Sequence, residues 1–77
     1  MSTKIKIIAG AWAKRHNIDG ETEIEVKDGA NIADALAGLP VKPSEIGLVS
    51  LNGKAAARET IMQDGDALEI FPVIIDG

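Results

Sequence analysis

The chain has no cysteine and no tyrosine, and in 77 residues it carries one tryptophan, one phenylalanine and one histidine. Without cysteine there are no disulfides, zinc ribbons, iron–sulfur clusters or thiol nucleophiles, so packing must hold together a domain of 8.1 kDa, a size that often needs a staple. With Trp12 and Phe71 as the only aromatics, the stacking platforms of single-strand nucleic-acid binders are missing. Positive charge is short as well. Eight Lys+Arg against twelve Asp+Glu leave a net charge of −4 and a pI near 4.7, a balance that repels a phosphate backbone. No nucleic acid is expected as a partner; a basic protein surface fits better. No apolar run approaches the ~20 residues of a membrane span, and Met1-Ser2-Thr3-Lys4 leads into an alternating pattern instead of a signal-peptide core. The expectation is a cytoplasmic protein with no membrane partner. Phosphate-cradling glycine loops are absent and His16 has no catalytic company, so no bound cofactor is expected. Such a chain enters chemistry as a substrate and not as an enzyme.

What is present is ordinary for a globular domain: 45% hydrophobic and 26% charged residues, enough for one core. Lys4-Ile5-Lys6-Ile7-Ile8 alternates with period two, as a half-buried strand does, and Glu21-Thr22-Glu23-Ile24-Glu25-Val26 repeats the pattern before an Asp28-Gly29 turn. The stretch from Gly10 to Gly20 has no clear period and reads as an ordered loop or a ragged helical turn. There Trp12 is expected to anchor its loop and His16 to be solvated. Asn31 is placed to cap a helix from Ile32 to about Leu39, with Asp34 completing a capping box. Ile32, Ala35, Leu36 and Leu39 then share one stripe, and Pro40 stops the helix. Pro40 to Gly47 reads as a polar connector. Leu48-Val49-Ser50-Leu51 reads as a buried strand, Asn52-Gly53 as a hairpin turn, and Lys54-Ala55-Ala56-Ala57 as a short return strand. Asp64-Gly65-Asp66 is a second turn, and Ala67 to Phe71 alternates into a last strand whose pairing Pro72 ends.

The order strand, strand, helix, strand, strand, strand is that of the α+β β-grasp (ubiquitin-like) fold: a mixed sheet of about five strands with one principal helix. First and last strands are expected parallel and central. That arrangement brings Lys4 and Lys6 near Glu23, Glu25 and Glu69 on the face away from the helix. The expected core is Ile5, Ile7, Ile24, Val26, Ile32, Leu36, Leu39, Val49, Leu51, Leu68 and Ile70. Residues 1–72 form the domain and residues 73–77 a flexible C-terminal tail, more hydrophobic than a solvated terminus should be. Phe71 is expected on the face opposite the helix, where with Pro72, Val73 and Ile8 it makes an apolar interface patch or lies partly under its own tail.

Leu51-Asn52-Gly53-Lys54, Arg58-Glu59, the run from Asp64 to Val73 and a terminal glycine resemble the ubiquitin-like sulfur carriers, namely the thiamine-biosynthesis carrier and the molybdopterin-synthase small subunit. Phe71-Pro72 is more similar to the molybdopterin member. Arg58-Glu59 and the Val73-Ile74-x-x-Gly ending are more similar to the thiamine one. The resemblance implies that the Gly77 carboxylate is adenylated by an ATP-using partner enzyme and converted to a thiocarboxylate, which a sulfur-acceptor synthase then draws on. ATP would belong to the activating enzyme. Phe71, Pro72, Val73, Ile74, Ile75, Asp76 and Arg58 are the implied partner-binding residues; Arg58 is equally readable as a surface turn residue. The family ends Gly-Gly, whereas Asp76 stands before Gly77 here. A carrier with a matched partner, a homologue that docks without being activated and a chain altered at its end all remain open on the residues alone.

Overall fold

The computed structural model of the protein describes residues 2–16, 18 and 20–73. Five strands form one sheet in the order β2-β1-β5-β3-β4: β1 is Ser2–Ala9, β2 Glu21–Lys27, β3 Ile46–Leu51, β4 Lys54–Ala55 and β5 Ala67–Pro72. A short helix, α1 (Ile32–Ala37), covers one face. β1 and β5 run parallel, with Ile7 opposite Leu68 and Ala9 opposite Ile70; the other pairings are antiparallel. This is the β-grasp arrangement expected from the order of elements, its mixed sheet backed by a single principal helix.

The alternation in β1 does what its period requires. Thr3, Ile5, Ile7 and Ala9 are buried, while Ser2, Lys4 and Lys6 are exposed. Lys4 faces Glu25 and Lys6 faces Glu23 across the ladder, and Lys6 Nζ reaches Glu21 Oε1 at 3.3 Å. Glu69 lies on the same outer face, opposite Ile8 and one same-face position along from Lys6. The ion pair is well exposed on both sides and contributes at most about 1 kcal/mol. Ile24 and Val26 point inward as expected but stay half-buried, because β2 is an edge strand.

At α1 the capping box is complete: the Asn31 side chain accepts from the Asp34 amide at 2.9 Å, and the Asp34 carboxylate accepts from the Asn31 amide at 3.1 Å. The next orphan amides find partners in the returning loop. Ile32 N–H donates to the Thr60 carbonyl at 3.0 Å and Ala33 N–H to the Arg58 carbonyl at 2.9 Å. The helix stops at Ala37, two residues before the expected end. Gly38 is a poor helix residue, and Pro40 pushes Leu39 out of the helical region. Leu39 is consequently only half-buried.

Two expectations are corrected between the helix and β4. The stretch from Pro40 to Gly47 is not merely a polar connector, since Val41 and Ile46 are 2% and 1% exposed and belong to the core. A 3-10 turn at Pro43–Glu45 lies between them. Nor is the next strand buried throughout: it begins at Ile46, and Leu48 is 54% exposed. A bulge between Ile46 and Leu48 adds one residue, Gly47, which shifts the inward–outward phase. β4 is limited to two residues, although Ala56 N–H still bonds the Val49 carbonyl at 3.2 Å. The Asn52-Gly53 turn has positive φ at both positions, 53° and 86°, as a tight hairpin requires.

Of the expected core, Ile5, Ile7, Ile32, Leu36, Val49, Leu68 and Ile70 are buried; Ile24, Val26, Leu39 and Leu51 pack against them half-buried. Ala13 and Ile18, from the aperiodic stretch, and Met62 complete the cluster. That stretch forms a 3-10 helix at Ala11–His16, from which the half-buried Trp12 packs against the core.

Candidate functional site

The end of β5 is where the chain leaves the sheet. Its alternation places Leu68 and Ile70 in the core and turns Phe71 to the opposite face, 36% exposed. Leu48 stands directly across from Phe71 on β3. Half-buried Ile8 lies on the same face, opposite Glu69, and Val73 follows at 43% exposure. The outer face of the sheet thus changes along its length, from the lysines and glutamates of β1 and β2 to an apolar patch beside the exit. Leu48 was not among the expected patch residues, because the run Leu48 to Leu51 reads as a strand buried on both faces.

Pro72 does not end the pairing. It still faces Ile46 on β3, and Val73 N–H donates to the Glu45 carbonyl at 3.0 Å. Proline is tolerated because its missing donor falls at the strand's end. Val73, assigned to the tail from the sequence, is therefore tied to the sheet. Ile74, Ile75, Asp76 and Gly77 lie outside the described residues, as does the expected flexibility of the tail.

Two residues shape the exit. A Cβ on Gly47 would lie 3.0 Å from the Pro72 carbonyl oxygen and 3.0 Å from Val73 Cα, so any larger residue at the bulge has to displace backbone. Arg58 then braces the same segment. Its guanidinium donates to the Ile46 carbonyl and, at 3.4 Å, to the Pro43 carbonyl, while its own carbonyl holds the second amide of α1. Arg58 thus ties the helix start to the backbone that receives Pro72 and Val73. Its fixed guanidinium, expected to meet carboxylates on a partner, has these internal acceptors. No sequence signal pointed to them, because both are backbone oxygens.

Behind the exit, the Asp64-Gly65-Asp66 turn is pinned to β1: Asp64 Oδ1 accepts from Lys4 N–H at 2.8 Å, and Gly65 N–H donates to the Lys4 carbonyl at 2.9 Å. Asn52 clamps the start of β5 by accepting from the Ala67 amide at 2.9 Å and donating to Asp66 at 3.0 Å. The motif residues of the hairpin and turn thus set where β5 begins, and hence where the chain emerges. Among the described residues, no group of three or more His, Asp or Glu side chains is placed to hold a metal ion, and no helix is long and apolar enough to cross a membrane.

Residues 12–75 match the ThiS family. The chain belongs to that family. It is accordingly one of the ubiquitin-like sulfur carriers, a small carrier protein and not a catalyst. Solved structures agree on the fold. A putative molybdopterin converting factor, subunit 1, from Pyrococcus furiosus superposes with a TM-score of 0.77 at 20% identity, covering 95% of this chain and 100% of that one. Small archaeal modifier protein 1 of H. volcanii gives 0.76 at 23% identity, covering 94% of this ThiS-family chain and 99% of the other.

Proposed function

We propose that this ThiS-family protein carries sulfur on its C-terminal glycine. The Gly77 carboxylate oxygen attacks the α-phosphorus of ATP in the active site of an adenylating enzyme, and pyrophosphate leaves. A hydrosulfide donor then attacks the carbonyl carbon, AMP leaves, and the terminus becomes a thiocarboxylate for a sulfur-acceptor synthase. A carboxylate is a poor electrophile until it carries such a leaving group. The partner supplies the chemistry; the carrier supplies a slender end whose glycine lets the backbone lie flat beside a nucleotide. The observation that carries this reading is the exit of β5 beside the Phe71, Leu48 and Val73 patch, which offers an enzyme an apolar surface at the base of the segment it must thread.

Asp76 favours a second reading, in which the tail docks without being activated. It adds a side chain and a charge next to the reacting carboxylate, and like charges 4 Å apart repel by about 1 kcal/mol in water and about 4 at an effective dielectric of 20. An activating enzyme for this carrier would therefore present a lysine or arginine to Asp76. The test is incubation with ATP, an adenylating enzyme and a sulfide donor, followed by intact-mass and fragment analysis. One oxygen-for-sulfur exchange at Gly77, lost when a residue is appended, supports the carrier. Transfer of that sulfur to a thiazole synthase or to a molybdopterin-synthase large subunit assigns the pathway. If wild type and Asp76→Gly both stay unmodified while still binding the enzyme, the docking reading replaces it.

A further inference from the structure

β2 ends the sheet, and its outer edge has no strand beside it among the described residues. The bond from Ala9 N–H to the Gly20 carbonyl, 2.8 Å, sets the phase of the β1–β2 ladder. Thr22, Ile24 and Val26 turn their backbone groups toward β1, so Glu23 and Glu25 turn theirs to the open edge. Lys27 shares that phase, but its carbonyl is taken by Ala30 N–H at 3.0 Å. Beside this edge, a groove of about 590 Å³ runs between β2 and α1. Ile24, Val26, Ala35 and Gly38 give it an apolar lining, and the single methyl of Ala35 and the bare backbone of Gly38 leave it open. Asp28 and Asp34 make its rim acidic, with Lys27 the one cation among the lining residues.

We infer that the edge of β2 and this groove form a docking site for an extended segment of a partner protein that alternates lysine or arginine with valine or isoleucine. Such a segment adds to the sheet through the free backbone groups of Glu23 and Glu25, a recurring way of binding peptides. Its cations then stand beside the two glutamates on the outer face, and the residue between them drops an apolar side chain into the groove. β1 already makes this set of contacts from the other side, with Lys4 opposite Glu25, Lys6 opposite Glu23 and Ile5 opposite Ile24. A second copy of the chain does not suit the site, since β2 paired antiparallel with β2 sets glutamate against glutamate. β1 separates the edge from β5, so a partner here leaves the tail exit accessible and the inference does not depend on activation of Gly77.

The test is a nuclear magnetic resonance titration of the whole protein with a capped six-residue peptide alternating lysine and isoleucine, set against the same peptide with glutamate for lysine. The lysine peptide is expected to shift β2 and α1 resonances, to slow exchange of the Glu23 and Glu25 amides, and to bind at least about fivefold more tightly than the glutamate peptide. Glu23→Gln with Glu25→Gln, both exposed, should weaken it by a similar factor. Glu25→Pro removes a donor that faces outward and should abolish binding while the β1 ladder persists. Equal affinity for the two peptides, shifts centred on Leu48 and Phe71, or a dimer joined through β2 in sedimentation of the free protein would overturn the inference.

Discussion

Replacing Gly47 with alanine tests the geometry of the exit. The added methyl would sit 3.0 Å from the Pro72 oxygen, 3.0 Å from Val73 Cα and 3.3 Å from the Pro72 carbonyl carbon. Carbon atoms rest at about 3.5–4.0 Å, so β5 or the bulge must move by several tenths of an ångström. Every obstructing atom is backbone, and no side-chain rotation relieves the contact. Overpacking of this kind costs about 1–3 kcal/mol, a sizeable part of the ~0.05–0.15 kcal/mol per residue that holds such a domain. For a chain of this size each kcal/mol lowers Tm by about 4–8 °C, so a fall of at least about 4 °C is expected. Because the displaced atoms include Val73, its amide should also lose the protection of the Glu45 bond and exchange faster. Gly20→Ala is the control: its methyl would meet the Ala9 oxygen at 3.8 Å, an ordinary contact. There the reduced entropy of the unfolded chain leaves stability unchanged or raises it by up to about 1 kcal/mol. The close approach is refuted if Gly47→Ala melts within about 2 °C of wild type and Val73 exchanges no faster.

Leu36→Ala opens a cavity under the helix and should cost about 2–5 kcal/mol in chemical denaturation; a smaller loss would mean that the helix does not bear on the sheet as described. Arg58→Lys keeps the charge but cannot span both the Ile46 and Pro43 carbonyls with a planar fork, so a loss of about 1–3 kcal/mol is expected in the same assay. A change within about 0.5 kcal/mol, the usual range for surface substitutions, would return Arg58 to that class. On the proposed function, Phe71→Ala should leave Tm within a few degrees while raising the KM of an adenylating enzyme for the carrier about fivefold or more, as truncation of an interface aromatic does. An unchanged KM would move the docking surface away from the apolar patch.

The elements that could be read from the sequence are those whose signal is local. The period-two runs of β1 and β2, the Asn31–Asp34 capping box and the Asn52-Gly53 turn each need only a few neighbouring residues, and all stand where expected. Val41 and Ile46 were hidden because they lie among two prolines, a lysine, a serine and a glutamate with no period to mark them, and the sheet recruits them through tertiary packing. Ile46 was hidden for a further reason. Period two puts Ile46 and Leu48 on one face, and the single extra residue of the bulge puts them on opposite faces. At Arg58 the residue was singled out, but its acceptors are main-chain oxygens brought close by the 3-10 turn at Pro43–Glu45, which side-chain patterns do not encode.

The parallel pairing of β1 with β5 governs when the molecule can fold as well as how. The Lys4 amide meets the Asp64 carboxylate across a separation of 60 residues, and the neighbouring ladder joins Lys6–Ala9 to Ala67–Ile70. During synthesis β1 emerges well before β5, so the centre of the sheet stays open until both strands have left the ribosome. Such distant pairing makes folding slow for a small domain. It also gives the domain a check on its own completeness: a product cut short before β5 lacks both the strand that fills the middle of the sheet and the Phe71 and Val73 half of the apolar patch.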